Sequence, residues 1–366
     1  MQIIINLLRG FAIGIANIIP GVSGGTVALM LGIYQRLLDA IGSLGSETLK
    51  ALISGKAAIL AEIKRTDAVF LISLAAGAGT AILASARLMS YLLENYHDPT
   101  YGFFFGLVAA SMIVPWQLIK RLSPGNLFSC LLAAALVVGL TLAMSGEDRL
   151  RAAQKKALIK GSTTVDAGSV SAGVNNSVSK KIPTDPKNML LFFVAGVIAI
   201  CAMILPGISG SFMLLLMGVY FDILICINER QIIMLAVFAA GAATGLLAFT
   251  RFLNYLLQKH GDATMSFMLG LVLGSLYAIW PFKSFGMVAG RRVDIANIIP
   301  PSFSTNEGLT LAACVGGLLL VIVVSVEFGL LPTPPVPVVK VETQAPDHRD
   351  RAAAVQAWEK AWGLRG

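Results

Sequence analysis

A segment written twice constrains this chain more than any other feature. Residues 20–34 read PGVSGGTVALMLGIY, and residues 206–220 read PGISGSFMLLLMGVY. A shift of 186 places Pro20, Gly21, Ser23, Gly24, Leu29, Gly32 and Tyr34 on identical residues. Each copy interrupts a long apolar run with Pro-Gly-x-Ser-Gly, where proline stops an incoming helix and glycine permits a turn. A second stretch repeats at a shift of 164: residues 76–116 align with 240–280 without a gap, with 18 of 41 positions identical. The matches include Gly77/Gly241, Thr80/Thr244, Arg87/Arg251, Tyr91/Tyr255, Asp98/Asp262 and Trp116/Trp280. Shared apolar composition does not produce matched Arg, Asp, Thr and Trp, so the chain is a duplication. The change of shift gives the first half a longer polar loop, about 43–67.

The repeats lie in a membrane. Of 366 residues, 56% are hydrophobic and 13% charged, against about 25% charged in a soluble domain. Apolar runs at 69–93, 101–119, 127–144, 189–205, 231–257, 265–281 and 309–332 approach or exceed the roughly 20 residues a helix needs to cross a bilayer. The expected fold is therefore an all-α integral membrane protein. The net charge of +8 reads as topology signal and headgroup contact, with no nucleic-acid partner. Cys130, Cys201, Cys226 and Cys314 lie in or beside apolar spans without metal-ligand spacing, so no metal or cofactor is expected. The N-terminus lacks a small-residue cleavage site and is read as retained.

Each half reads as one broken segment followed by three ordinary spans. In the first half these are 3–41, 69–94, 101–119 and 127–145; in the second, 189–227, 231–258, 265–282 and 309–332. The break is polar or Gly-rich at its centre, which favours a re-entrant helical hairpin, tolerable at that depth only if buried in protein or lining a cavity. A hairpin plus three crossings is odd, and two spans plus three is also odd. Either way the second half starts on the opposite side, so the expected architecture is an inverted repeat. The domains are then a first membrane repeat over 1–145, a polar flexible linker over 146–188, a second and inverted repeat over 189–332, and a Pro-rich tail over 333–366 with a short amphipathic helix near 350–363. Lys50, Lys56, Lys64 and Arg65 favour placing loop 43–67 inside the cell.

Two constellations could carry chemistry. In Pro20-Gly21-Val22-Ser23-Gly24-Gly25-Thr26 and Pro206-Gly207-Ile208-Ser209-Gly210-Ser211, the hydroxyls can cap an outgoing helix whose free N–H groups suit a phosphate or carboxylate. The same residues also suit a turn packed tightly against its twin. Arg87 and Arg251 occupy equivalent places within long spans. An arginine there is costly, and its planar fork matches a phosphate; snorkelling to the interface is the plainer alternative. Asp98 and Asp262 read as loop caps or ion ligands, His97 and His260 as loop residues, and Trp116 and Trp280 as interface anchors. Gly77, Thr80, Gly241 and Gly245 have helix-packing spacing. Duplicated, broken apolar segments are the mark of transporters with a site between their halves.

The run Gly14-Ile15-Ala16-Asn17-Ile18-Ile19-Pro20-Gly21-Val22-Ser23-Gly24-Gly25-Thr26, the second Leu205-Pro206-Gly207-Ile208-Ser209-Gly210-Ser211, and the paired Arg87 and Arg251 spans resemble the polyprenyl-phosphate transporter family. The resemblance covers roughly 1–145 and 189–332. It implies a bacterial plasma-membrane protein that returns undecaprenyl phosphate, the C55 carrier lipid of envelope synthesis, to the inner leaflet for reuse. It also implies that Asn17, Pro20–Thr26 and Pro206–Ser211 line the headgroup site, with Arg87 and Arg251 pairing with the phosphate. Gly25 is matched by Ser211 and Thr26 by Phe212, so the site is expected to be pseudo-symmetric. Bilayer phospholipids are expected neighbours; a coupling proton or sodium ion and the oligomeric state stay open.

Two alternatives remain at this point. A transporter of a small anion or amino acid shares every feature above and needs no lateral opening to lipid. A membrane phosphatase acting on undecaprenyl pyrophosphate also uses inverted repeats and a Pro-Gly-x-Ser motif. It generally adds an arginine within that motif and nearby intramembrane glutamates, which this chain lacks before Glu94. No catalytic residue is therefore expected.

Overall fold

In the computed structural model, residues 2–18, 22–161, 181–289, 291–300, 302 and 304–327 are described. Pro20, Gly21, most of the linker's second half and the whole 333–366 tail lie outside the described residues. The order of elements is α1 (Gln2–Ile18), α2 (Gly24–Met30), α3 (Tyr34–Gly42), α4 (Ser46–Ile53), α5 (Lys56–Arg65), α6 (Ala68–Asn95), α7 (His97–Ser111), α8 (Ile113–Leu118), α9 (Pro124–Ala143), α10 (Gly146–Gly161), α11 (Pro186–Ile204), α12 (Gly210–Leu216), α13 (Tyr220–Asn228), α14 (Ile232–Lys259), α15 (Gly261–Ala278), β1 (Lys283–Val288), β2 (Arg291–Asn297) and α16 (Thr305–Glu327).

The helices begin where the sequence supplies caps. Ser123 and Asp185 accept from the N–H groups of Asn126 and Asn188 at 3.2 and 2.7 Å, each followed by a proline in the first helical turn. Among the described residues, six helical segments are long and apolar enough to cross a membrane: 68–85, 97–118, 124–143, 186–204, 232–259 and 305–323. The protein is thus a mostly helical, multi-pass membrane protein. α15 is not among the six, although it is the repeat partner of α7.

The duplication is visible in the element boundaries. α2 and α12 are both seven residues, α3 and α13 nine, and α6 and α14 twenty-eight. Gly32 and Gly218, which separate the paired short helices, both have positive φ (65° and 73°), a conformation that favours glycine. α12 and α13 bend by 104° at this break. Packing follows the same pairing: α1 lies against α6 and α11 against α14, while α7 packs on α16 and α15 on α9. The last helix of each half is therefore exchanged onto the other half. Gly10 and Gly77, and their counterparts Gly196 and Gly241, admit these crossings, because a Cβ on any of them would collide with the main chain of the facing helix. Thr80 differs from its expected packing role: it is exposed, and its hydroxyl bonds back to Ala76 O at 2.8 Å.

Two features depart from the sequence reading. The linker begins as α10, a sixteen-residue helix, where a flexible segment is expected. Glu147 and Asp148 sit in its first turn, and Ser145 accepts from the N–H of Asp148 at 3.1 Å, so charge and cap both favour a helix start. An antiparallel hairpin, β1–β2, lies between α15 and α16, with Lys283 opposite Asn297 and a bulge between Ser284 and Phe285. The first half holds only residues 119–123 at the equivalent place.

Candidate functional site

The two Pro-Gly-x-Ser-Gly motifs meet, and they meet unequally. The Ser23 hydroxyl donates to Leu205 O at 3.2 Å, the Tyr34 hydroxyl donates to Ile204 O at 3.1 Å, and Thr26 Oγ1 accepts from the N–H of Gly207 at 3.1 Å. Three side chains of the first copy thus hold the main chain of the second just before and within its turn. Gly207 has φ of 84° there. Gly25 is buried against the same strip, and a Cβ would stand 2.7 Å from Ile204 O. Within the first copy, Asn17 Oδ1 and Ser23 Oγ accept from the N–H groups of Gly24 and Gly25 at 3.1 and 3.2 Å. Ser23, Gly24, Gly25 and Thr26 are all buried.

The second copy is arranged differently. Pro206, Gly207 and Gly210 are buried, Ser209 is half-buried and Ser211 is exposed. The Ser209 and Ser211 hydroxyls pair with each other at 3.0 Å. Gly207, Ile208, Ser209, Ser211 and Phe212 form one wall of a cavity of about 840 Å³. Ser90, Glu94, His97 and Tyr101 form a second wall, and Arg149, Lys283, Arg292 and Asp294 line it as well.

These charges are organised. Arg292 donates to Asp98 at 2.9 Å and lies 3.4 Å from Asp294, with its guanidinium 4.3 Å from the Phe285 ring centroid. His97 bridges Asp98 and Asp294 at 2.9 and 3.2 Å. Lys283 donates to Ala278 O at 2.7 Å, with Asp294 at 3.6 Å and the Tyr101 ring at 4.6 Å. Burial pushes the Lys283 ammonium below its ordinary pKa. Burial would raise the Asp294 carboxyl, but the His97 hydrogen bond and the charges of Lys283 and Arg292 outweigh it and hold Asp294 below its ordinary value. Arg149 donates to Thr141 O at 2.9 Å.

Comparison with known proteins assigns the chain. Residues 13–293 match the model of the undecaprenyl phosphate translocase-like family, VCA0040-like. The chain belongs to this family. A relative from Vibrio cholerae named polyprenyl-phosphate transporter is 36% identical over 284 residues, covering 77% of this chain and 79% of the relative. A protein of the same name from Staphylococcus aureus is 31% identical over 284 residues, covering 76% of this chain and 86% of its own. No solved structure matches.

Within this translocase-like chain the two arginines stand in different surroundings. Arg251 Nε donates to Gly42 O at 3.1 Å and its terminal nitrogen donates to Leu44 O at 2.5 Å. Arg65 takes the carbonyl between them, Ser43 O, at 2.9 Å. Arg87 is exposed and makes no hydrogen bond or ion pair among the described residues. It lies one turn before Ser90 and two before Glu94 on α6, the stripe that lines the cavity. Asp262 caps the chain after α8, accepting from the N–H groups of Lys120 and Arg121 at 3.0 and 3.2 Å. Sequence reasoning missed Arg149, Lys283 and Arg292. The usable signal was the length of chain between 282 and 309, far more than a short turn between spans requires.

Proposed function

We propose that the protein carries a polyprenyl phosphate across the bacterial plasma membrane, returning undecaprenyl phosphate from the outer to the inner leaflet for envelope synthesis. The relatives' names support the lipid class. The observation that carries the site is the 840 Å³ cavity walled by Ser209 and Ser211 and reached by Arg149, Lys283 and Arg292. Hydroxyls and cations lining one cavity suit a phosphate monoester, and arginine offers the planar fork that such a group accepts.

On this reading the halves are inverted repeats and the broken segments are re-entrant hairpins whose tips meet within the membrane. Gly207, Ser209 and Ser211 line the headgroup site, Asn17, Ser23, Gly24, Gly25 and Thr26 brace it from the first copy, and the phosphate reaches it while the prenyl chain stays among the phospholipids. Arg87, on the cavity stripe of α6, pairs with the phosphate in the present state, and Arg251 does so when the opposite side is open. The cavity lies towards the C-terminal end of α6, away from 43–67. With 43–67 in the cytoplasm it faces the outer leaflet, where the spent carrier appears. No step needs a bond to break, so the protein acts as a transporter.

The test is leaflet transfer of undecaprenyl phosphate in liposomes. Wild-type protein is expected to accelerate transfer, and Ser209→Ala with Ser211→Ala, or Arg87→Ala, to slow it. No acceleration by folded wild type under proton or sodium gradients of either sign would overturn the lipid reading in favour of a soluble anion. Release of inorganic phosphate from undecaprenyl pyrophosphate would replace it with a phosphatase.

A further inference from the structure

The two repeat shifts relate contacts made by the duplicated segments of one half to positions in the other. On the side of α3, Arg251 holds Gly42 O and Leu44 O, and Gln35 Nε2 donates to Asn254 Oδ1 at 2.9 Å. α3 is thereby packed along α14. Adding 186 turns Gln35, Gly42 and Leu44 into Phe221, Asn228 and Arg230. Subtracting 164 turns Arg251 and Asn254 into Arg87 and Ser90. These counterparts do not form the same closure: Arg87, Asn228 and Arg230 are exposed, Ser90 lines the cavity, and α13 packs on α14 and α10 with no comparable packing on α6. One side is closed by an arginine on the carbonyl end of a hairpin helix. The side with the cavity lacks that closure.

We infer that Arg251 and Arg87 are reciprocal latches, each closing one face of the transporter by binding a carbonyl in the last turn of the opposite hairpin's second helix and another just beyond it. The chemistry suits the role, because the final carbonyls of a helix lack intrahelical partners and carry the negative end of its dipole. In the opposite state Arg87 would bind Asn228 O and Arg230 O, Ser90 would approach Phe221, and the Arg251 contacts would open. The inference deepens the transport reading and rests on it, since an arginine released from carbonyls is free for a phosphate. A lipid phosphate on Arg87 holds the present side open, and passing it inward to the Ser209 and Ser211 hydroxyls frees Arg87 to close that side behind the cargo.

Two reporter cysteines related by the repeat test this, in protein whose four native cysteines are replaced by serine: Leu215→Cys in the cavity wall and Leu29→Cys at the buried equivalent. The probe is a water-soluble maleimide, and the protein is in liposomes without any prenyl lipid. With both arginines present, Leu215→Cys reacts and Leu29→Cys is protected. Arg251→Ala is expected to raise Leu29→Cys labelling and lower Leu215→Cys labelling by about tenfold each, as a population shift requires. Arg87→Ala is expected to keep Leu215→Cys at its maximum. Both rates rising together, or neither moving, would overturn the latch. A second arm avoids core reporters: a Gln35→Cys/Asn254→Cys disulfide is expected to stop lipid transfer and release it on reduction, and undiminished transfer through the cross-linked protein would also sink the idea. Labelling needs no substrate, so correct labelling with no undecaprenyl phosphate transfer condemns the lipid reading and leaves the latches standing.

Discussion

The two hairpin motifs are close copies in sequence and opposites in employment. The first spends its hydroxyls on its twin: Ser23, Thr26 and Tyr34 bond the main chain of 204–207. Among the described residues, the second copy's Ser209 and Ser211 hydroxyls pair only with each other, at a cavity wall. The substitutions between copies match this split. Gly25 must be small against Ile204 O, whereas its partner Ser211 is exposed. Thr26 accepts a buried N–H that Phe212 could not. The comparison teaches that one copy is a fixed surface and the other turns its hydroxyls toward a cavity.

The largest break in that comparison comes from the charges on the cavity side. Arg292→Ala strips a partner from both Asp98 and Asp294 and is expected to cost about 3 kcal/mol, the lower end for breaking a buried pair, because these side chains keep some exposure. Thermal unfolding in detergent measures it, and an unchanged midpoint would show the cluster to be ornamental for stability. Next comes Thr26→Val, which orphans the Gly207 N–H at a cost of about 1–3 kcal/mol. Phe212→Thr at the equivalent position is expected to change stability less, and equal losses would erase the distinction between the copies. Ser209→Ala and Ser211→Ala sharpen it from the other side. Each is expected to slow lipid transfer roughly fivefold, about 1 kcal/mol per hydroxyl contact, with unfolding unmoved.

The smallest effect concerns a support that only the first half has. Arg65, which holds Ser43 O beside the Arg251 contacts, is itself held by Glu62. The hydrogen bonds from Arg65 and then Thr48 bring the Glu62 carboxyl from an ordinary 4.5 to about 2. A carboxyl depressed on folding stabilises above its unfolded pKa, so this contribution is complete above about 4.5 and fades as pH falls towards about 2. Protease cleavage within 43–67 is expected to quicken across that window in wild type and to lose that pH response in Glu62→Gln.

Much of this was legible beforehand. The duplication located the paired breaks within 3–41 and 189–227, because Pro, Gly and Ser at fixed offsets act through local backbone geometry, but it did not mark the second break at Gly32 and Gly218. The departures at Gly25/Ser211 and Thr26/Phe212 already said that the copies are unequal. The partners of Arg251 were not legible, since a carbonyl has no letter in a sequence. Nor were Arg149, Lys283 and Arg292, which sit in polar stretches where a cation is ordinarily solvated. They become cavity residues only because α10 and β1–β2 fold back over the site, and neither element has a duplicate to draw attention to it.

That lack of a duplicate has an energetic consequence. In a transporter built from two identical inverted halves, a two-fold rotation interconverts the two end states, which are therefore equal in free energy. On the proposed inverted architecture, β1–β2 would lift that degeneracy. It ties Arg292 and Asp294 to His97 and Asp98 on one face alone, with no equivalent strands in the first half among the described residues. On the proposed transport cycle such a carrier would have a resting side. Its empty cycle would climb away from that side, and a cargo on that face would meet a carrier already waiting.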